Sequence, residues 1–153
     1  MSYSKITPIK KISAIIEARR RDGGKVVFTN GCFDLIHAGH VRYLQQARDI
    51  GDILVLGLNS DESVSRLKPG RPIVPEQERA EVLAALSAID YVVIFNEETP
   101  YELIKQVRPD VLVKGGDWAR EDIVGNDLVE DVRSLPFSEG LSTTSIIDKI
   151  KNS

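Results

Sequence analysis

Apolar positions in this chain follow two alternating patterns: short β-branched runs and stripes at helical spacing. Val26-Val27-Phe28, Ile53 to Leu58, Tyr91 to Phe95 and Val111-Leu112-Val113 are the runs, and each predicts a strand. Before the first, Thr7-Pro8 supplies an N-cap and a proline at the first helical position. Ile9, Ile12, Ile15 and Ile16 then recur at helical spacing until Asp22-Gly23-Gly24 stops the helix. Val41, Leu44 and Ala47 mark one face of a second helix that ends by Gly51. Asn59-Ser60-Asp61 starts a short helix to about Leu67. Pro75 opens another, with Ala80, Leu83, Ala84 and Leu86 on or near its buried side. Thr99-Pro100 repeats the cap-plus-proline signal ahead of Leu103, Ile104 and Val107. From Glu121 to Glu139 the pattern is weak, and predicts a short helix and an edge strand near Val132 to Leu135. Ser142-Thr143-Thr144-Ser145 caps a last helix expected to bury Ile146, Ile147 and Ile150.

Strands alternating with helices predict an α/β fold: a Rossmann-like, doubly wound, mainly parallel five-stranded sheet with helices on both faces. Ile53 to Leu58 is nearly continuous in apolar residues, as expected of a strand covered on both sides. The expected organisation is an N-terminal helix over 1–24 and one domain over 25–153, without repeats, low-complexity segments or linkers. In such sheets ligands bind beyond the carboxyl ends of the strands, near a switch point. Thr29-Asn30-Gly31, Asn59-Ser60-Asp61 and Lys114-Gly115-Gly116-Asp117 each follow a strand directly, so the three clusters predict one site on one rim.

Composition narrows the partners. The 153 residues suffice for a single domain with a core of its own, and 42% hydrophobic and 28% charged residues are ordinary for a globular protein. A net charge of −3 gives no basic footprint for nucleic acid. The single cysteine, Cys32, forms no internal disulfide, which suits a reducing compartment. The start, MSYSKITPIKK, lacks a signal-peptide core, and no apolar run approaches the ~20 residues that span a bilayer. A cytoplasmic protein that binds no membrane is expected.

The chemistry concentrates between Thr29 and Leu44, which hold both histidines and Cys32. His37 and His40, three apart at a helix start, can share a face on which ring N–H groups meet phosphate oxygens. Gly39 between them lets a ligand approach the backbone. A metal is the competing reading, with Asp34, His37, His40 and Cys32 as ligands. The spacing does not fit a closed zinc site and no second Cys/His cluster completes one. Phosphate contact is therefore preferred, and magnesium carried in on a nucleotide stays open. Lys114 stands between a buried strand and two glycines, where it can reach a phosphate. Asp117 either orients a sugar hydroxyl or caps the next turn. The hydroxyls and free N–H groups at Ser142 make either a plain helix cap or an anion site. Lys68 and Arg71 are two cations on a loop stiffened by Pro69 and Pro72, whereas Arg79 is by itself an unremarkable charge.

Gly31-Cys32-Phe33-Asp34-Leu35-Ile36-His37-Ala38-Gly39-His40 resembles the G-x-F-D-x-x-H-x-G-H signature of the cytidylyltransferase-like nucleotidyltransferases, which activate small phosphate esters with CTP or ATP. Ser142-Thr143-Thr144-Ser145-Ile146-Ile147 resembles the second signature of that family, S-T-[ST]-x-[IL]-I, and the likeness runs from Lys25 to Ile150. Within the family, the likeness is closest to the adenylyltransferases that make ADP-heptose from D-glycero-β-D-manno-heptose 1-phosphate for lipopolysaccharide core synthesis. Arg71-Pro72-Ile73, Val92 to Pro100, Arg108 to Asp117 and Pro136 to Thr144 carry it. Glycerol-phosphate cytidylyltransferases instead have an arginine shortly before S-T-T and no lysine before G-x-D. The loop Leu67 to Arg71 and the region Gly125 to Pro136 are shorter than usual for the group.

The resemblance implies attack of a substrate phosphate on the α-phosphorus of ATP, with Mg2+ accompanying the nucleotide. It gives His37, His40 and Lys114 the catalytic roles. Thr29, Asn30, Gly31, Cys32, Phe33, Gly39, Lys68, Gly116, Asp117, Ser142, Thr143 and Thr144 would bind the nucleotide, and Asp34, Asn59, Arg71 and Lys114 the acceptor. No residue is assigned as a metal ligand. In its bifunctional form the group's enzyme is the C-terminal part of a longer chain with a sugar kinase. Here a separate heptose kinase is expected to supply the substrate. The stripe Ile12, Ile15, Ile16 makes a homodimer plausible. Two alternatives stand beside this reading: a cytidylyltransferase for a glycerol or polyol phosphate, and a nucleotide-binding module without catalysis.

Overall fold

The apolar runs and the edge segment become β1 (Val26–Gly31), β2 (Ile53–Asn59), β3 (Tyr91–Phe95), β4 (Val111–Gly115) and β5 (Asp131–Leu135). The computed structural model describes residues 2–137 and 141–153. The strands form one parallel sheet in the order β3-β2-β1-β4-β5, which is the doubly wound arrangement. Chain direction across the sheet reverses beside β1, so the crevice between the ends of β1 and β4 is the switch point where such folds take ligands. The helices are α1 (Ile9–Arg21), α2 (Ala38–Asp49), α3 (Asp61–Leu67), α4 (Glu76–Ala84), α5 (Tyr101–Val107) and α6 (Thr143–Lys151).

Period-two side-chain alternation in the strands divides the core into two layers. Val27, Leu54, Leu56 and Val113 face Tyr43, Leu44 and Ala47 of α2 and Ala80 and Leu83 of α4. Val26, Phe28, Val55 and Leu112 face Ile12 and Ile16 of α1 and Leu103, Ile104 and Val107 of α5. Every residue of β2 is buried, as its unbroken apolar run requires. Ile12 and Ile16 are both fully buried against the sheet, which takes away the reason to assign that stripe to a second subunit.

Several local expectations change. Helix α1 begins one residue later than the Thr7 cap implies, with Pro8 at the cap position and no side-chain cap. Thr7 serves the sheet edge instead: its N–H donates to Val92 O at 2.8 Å, and Ile6 bridges to Val92. Strands β1 and β4 each run beyond their apolar cores to a glycine. The weak segment contains a single 3-10 turn, Arg120–Asp122, ahead of edge strand β5. The largest correction is at α6. None of its residues is buried, and Ile150 is 67% exposed. Its apolar stripe is real, but of its isoleucines Ile146 and Ile147 are half-covered and Ile150 is exposed. Of the stretch Pro136 to Thr144, residues Ser138, Glu139 and Gly140 lie outside the described residues.

Candidate active site

The turn after β1 is shaped by its glycine. Phe33 adopts a left-handed conformation, φ +46°, and its ring folds back over Gly31, where a Cβ would come within 2.8 Å of the ring. Only hydrogen fits there, and the buried Phe33 ring then tilts against His40 at 5.2 Å between centroids. The chain next enters α2 through the two histidines. His37 is the N-cap, its Nδ1 accepting from Gly39 N–H at 3.1 Å, and His40 Nδ1 accepts from His37 N–H at 3.3 Å. The rings stack at 3.9 Å.

This reciprocal cap fixes proton positions. Each Nδ1 is an acceptor, so the neutral rings carry hydrogen on Nε2 and offer it as a donor. Burial, the neighbouring His37 and Lys68 push the His40 pKa down to about 4, so His40 is neutral at physiological pH. Burial also lowers His37. Gly39 meets side chains of the protein: a Cβ there would stand 2.8 Å from the His37 ring and 3.1 Å from Leu141 Cβ. The glycine makes room for the histidine cap and for the approach of α6.

Helix α6 arrives beside this turn. Ser142 caps it through a capping box with Ser145, and Thr143 Oγ1 donates to Leu35 O at 3.2 Å. Two helix N-termini, each a positive dipole end, thus meet at the end of β1. From the other side comes Lys114, at the end of β4. Its Nζ lies 5.2 Å from the centre of the Trp118 ring, and burial lowers its pKa. Trp118 Nε1 donates to Gly115 O at 3.0 Å, which holds the ring against the strand end.

These elements enclose a cavity of about 510 Å³. Asn30, Gly31, Cys32, Phe33, Asp34 and His40 line it from the β1 turn, and Asn59, Lys68 and Arg71 from the β2 side. Lys114 and Thr143 complete the expected residues found there. The other expected residues do not line it. Thr29 is wholly buried, its hydroxyl 2.5 Å from that of Tyr43. His37 stands behind His40. Gly39 is covered by His37 and Leu141. Gly116, at φ +112°, and Asp117 form the turn outside the cavity. Ser142 and Thr144 are exposed beyond the rim. Asn59 donates through Nδ2 to Ser63 Oγ at 3.0 Å, which steadies the start of α3.

Sequence reasoning missed three contributors. Trp118, Val124 and Phe137 give the cavity an apolar wall, and Trp118 could have been suspected as the lone tryptophan directly after Gly-Gly-Asp. Glu98, Thr99 and Pro100 close the opposite side. Arg79 is the third. Only 1% exposed, it donates to Val74 O, Cys32 O, Asn59 O and Asp61 Oδ1, all at 2.7–2.8 Å. Lys68, Arg71 and Lys114 face only Glu98 and Asp34 among the acidic lining residues, and the Asp34 carboxylate is already taken up by Ile73 and Val74 amides. The cavity therefore favours an anion. Among the described residues no three His, Cys, Asp or Glu side chains converge as metal ligands. The described residues thus form no protein cage for Mg2+. No helix among the described residues is long and apolar enough to cross a membrane.

Comparison with known proteins agrees with this fold. The family described as cytidylyltransferase-like matches residues 28–149. The chain is 59% identical over 152 residues to the bifunctional protein HldE of Syntrophotalea carbinolica, covering 96% of this chain and 31% of that protein. It is 51% identical over 151 residues to the bifunctional protein HldE of Helicobacter pylori, covering 98% of this chain and 32% of the relative. The chain thus spans about a third of the length of these curated relatives. Among solved structures, the lipopolysaccharide core biosynthesis protein of Thermoplasma volcanium superposes with a TM-score of 0.64 at 25% identity, over 76% of this chain and 98% of that one. Pantoate-beta-alanine ligase of Francisella tularensis, at 14% identity, shares the fold with a TM-score of 0.62, over 95% of this chain and 76% of that one.

Proposed function

The chain belongs to the cytidylyltransferase-like family, and on that premise we propose that it transfers AMP from ATP to D-glycero-β-D-manno-heptose 1-phosphate, giving ADP-heptose and pyrophosphate. One observation carries the reading: His40, Lys114 and Thr143 converge on one anion-favouring cavity, at two helix N-termini beyond the ends of β1 and β4. A phosphate oxygen of the acceptor attacks the α-phosphorus of ATP. The bond from that phosphorus to the α–β bridging oxygen breaks, and pyrophosphate leaves with the electron pair. No side chain becomes a covalent nucleophile, so the protein's work is to align the reactants and to stabilise spreading negative charge.

His40 is suited to that work because it is neutral and carries its proton on Nε2. It donates to phosphate oxygens without first having to lose or gain a proton. The N–H groups at the start of α6 that its cap leaves open, and the positive dipole end of α2, hold the triphosphate. Lys114, with Lys68 and Arg71 at the mouth, neutralises the charge shared between acceptor phosphate and α-phosphate. Trp118, Val124 and Phe137 offer an apolar surface to the organic part of a ligand. Mg2+ carried in on ATP would supply further charge neutralisation. The acceptor is the product of a sugar kinase. The free Cys32 thiol in the cavity supports a reducing, cytoplasmic setting.

Heptose 1-phosphate is favoured over a polyol phosphate by the resemblance around Lys114 and by the HldE relatives. Pyrophosphate release, with ATP or CTP against a panel of sugar and polyol phosphates, tests the proposal. Turnover is expected only with ATP and heptose 1-phosphate. Turnover with CTP and glycerol phosphate would replace the acceptor and the nucleotide, and no turnover with any pair would leave a binding module.

A further inference from the structure

Asp34 stands in the first signature and at the cavity wall, yet its carboxylate points into the protein's own backbone. Oδ1 accepts N–H groups from Ile73 at 3.0 Å and Val74 at 2.9 Å, and Oδ2 accepts from Ile73 at 2.9 Å. Val74 O accepts from Arg79 Nε at 2.8 Å, and the same guanidinium donates to Cys32 O at 2.7 Å, two residues before Asp34. Residues 73 and 74 are thus fastened to the β1 turn from both sides. Upstream, Lys68, Pro69 and Gly70 are exposed and Gly70 has φ +81°; Lys68 N–H ends α3 on Val64 O at 2.8 Å, and Arg71 N–H donates to Lys68 O at 3.1 Å. Arg71 is therefore only two residues from an anchor built of a buried carboxylate and a buried guanidinium.

We propose that Asp34 and Arg79 are positioning residues, which lock residues 73 and 74 to the β1 turn and so fix where Arg71 stands at the cavity mouth. This rests on the proposed nucleotidyl transfer, in which Arg71 meets phosphate. Asp34 then acts through the loop, and its own carboxylate is not a ligand contact. The two anchors differ in kind. Asp34 satisfies two N–H groups that would otherwise sit without partners, whereas Arg79 joins three carbonyls from separate segments and an Asp61 carboxylate. Lysine at 79 keeps the charge but cannot span three carbonyls and a carboxylate.

The test is a double-mutant cycle with Asp34→Asn and Arg71→Ala, read as KM and kcat for each substrate. Arg71→Ala identifies the substrate that Arg71 holds. Asp34→Asn is expected to raise the KM of that same substrate about 10-fold, because a guanidinium displaced by an ångström no longer meets its phosphate. In the double variant the second substitution should add less than about 2-fold, since both remove one interaction. Multiplying effects, or a change confined to the other substrate, would overturn the proposal. Amide exchange at Ile73 and Val74 should quicken in Asp34→Asn by more than exchange at the core amides of β1 and β2, where a loss of global stability alone would show equally. Unchanged exchange would equally overturn it. If the unmodified protein turns over no substrate, the functional reading fails separately. The same cycle read as ATP and pyrophosphate dissociation constants, with the exchange data, then still decides the anchor. Arg79→Lys is expected to give the same KM pattern, and if it does not fold, Asp34→Asn carries the test alone.

Discussion

The two helix N-termini at the site are built in opposite ways. Helix α2 is set into the core: Gly39, Tyr43, Leu44 and Ala47 are buried, and the Tyr43 hydroxyl lies 2.5 Å from Thr29 Oγ1 and 3.4 Å from Val113 O. It is fixed between β1 and β4, and its cap is made of the histidines themselves. Helix α6 has no buried residue and closes its own cap with Ser142 and Ser145. It reaches the rest of the site through the Thr143 bond to Leu35 and the contact of Leu141 with Gly39. Both ends carry the positive end of a helix dipole. The difference implies that fold packing fixes the α2 half of the proposed phosphate site, while a few surface contacts place the α6 half. Damage at α2 should therefore appear in the chemical step, and damage at α6 in binding.

His40→Ala is the strongest test of the α2 half. It removes a preset donor and should lower kcat by ~10²–10³-fold, while circular dichroism shows the fold intact. Retained full activity would remove His40 from the mechanism. Gly39→Ala comes next. Its new Cβ meets the His37 ring at 2.8 Å, so the cap must open, and kcat/KM should fall by roughly 10–100-fold although no reacting group is deleted. Thr143→Val probes the α6 half. Losing one neutral hydrogen bond to Leu35 is worth about 1 kcal/mol, so KM for ATP should rise about 5-fold with kcat almost unchanged. A large fall in kcat instead would show that α6 belongs to the rigid frame. Ile150→Ser should change unfolding free energy by no more than about 0.5 kcal/mol, because the side chain is already in water.

The same comparison has a pH form. His40 titrates at about 4 in the folded protein and near 6.5 when unfolded. Between those values the unfolded chain holds more protons, so folding stability from this group is complete above pH 6.5 and declines as pH falls toward 4. Titration of the free protein followed by NMR should show the His40 ring neutral at pH 5.5. The kcat/KM profile should show no His40 inflection from pH 5.5 to 8. A midpoint near 6.5 would mean that the buried, reciprocally capped arrangement does not persist in solution.

Much of this frame was legible in the residues. The strands follow from runs such as Ile53 to Leu58, and the α2 turn from two histidines around Gly39 after a strand. What escaped notice depends on distant partners. Arg79 reads as one charge among twenty Lys and Arg until Cys32, Asn59, Asp61 and Val74 close around it. Asp34 reads as a substrate ligand until Ile73 and Val74, nearly forty residues on, take its carboxylate. Thr29 reads as part of the rim until Tyr43 claims its hydroxyl. The isoleucine stripes of α1 and α6 look alike in sequence, yet Ile12 is fully buried and Ile150 is not. Periodicity shows that a helix has an apolar face, but not what lies against it.

The sequence alone determined the order and type of the elements, the parallel sheet, and the histidine-bearing turn at a strand end. Each of these is written in local periodicity, capping and steric preference within a few neighbouring residues. Only the tertiary structure decided which polar groups face the cavity and which hold its walls, and which of two like helices is embedded. Those outcomes depend on contacts between residues tens of positions apart, where burial leaves a carboxylate or guanidinium to bond whatever backbone the fold brings within reach.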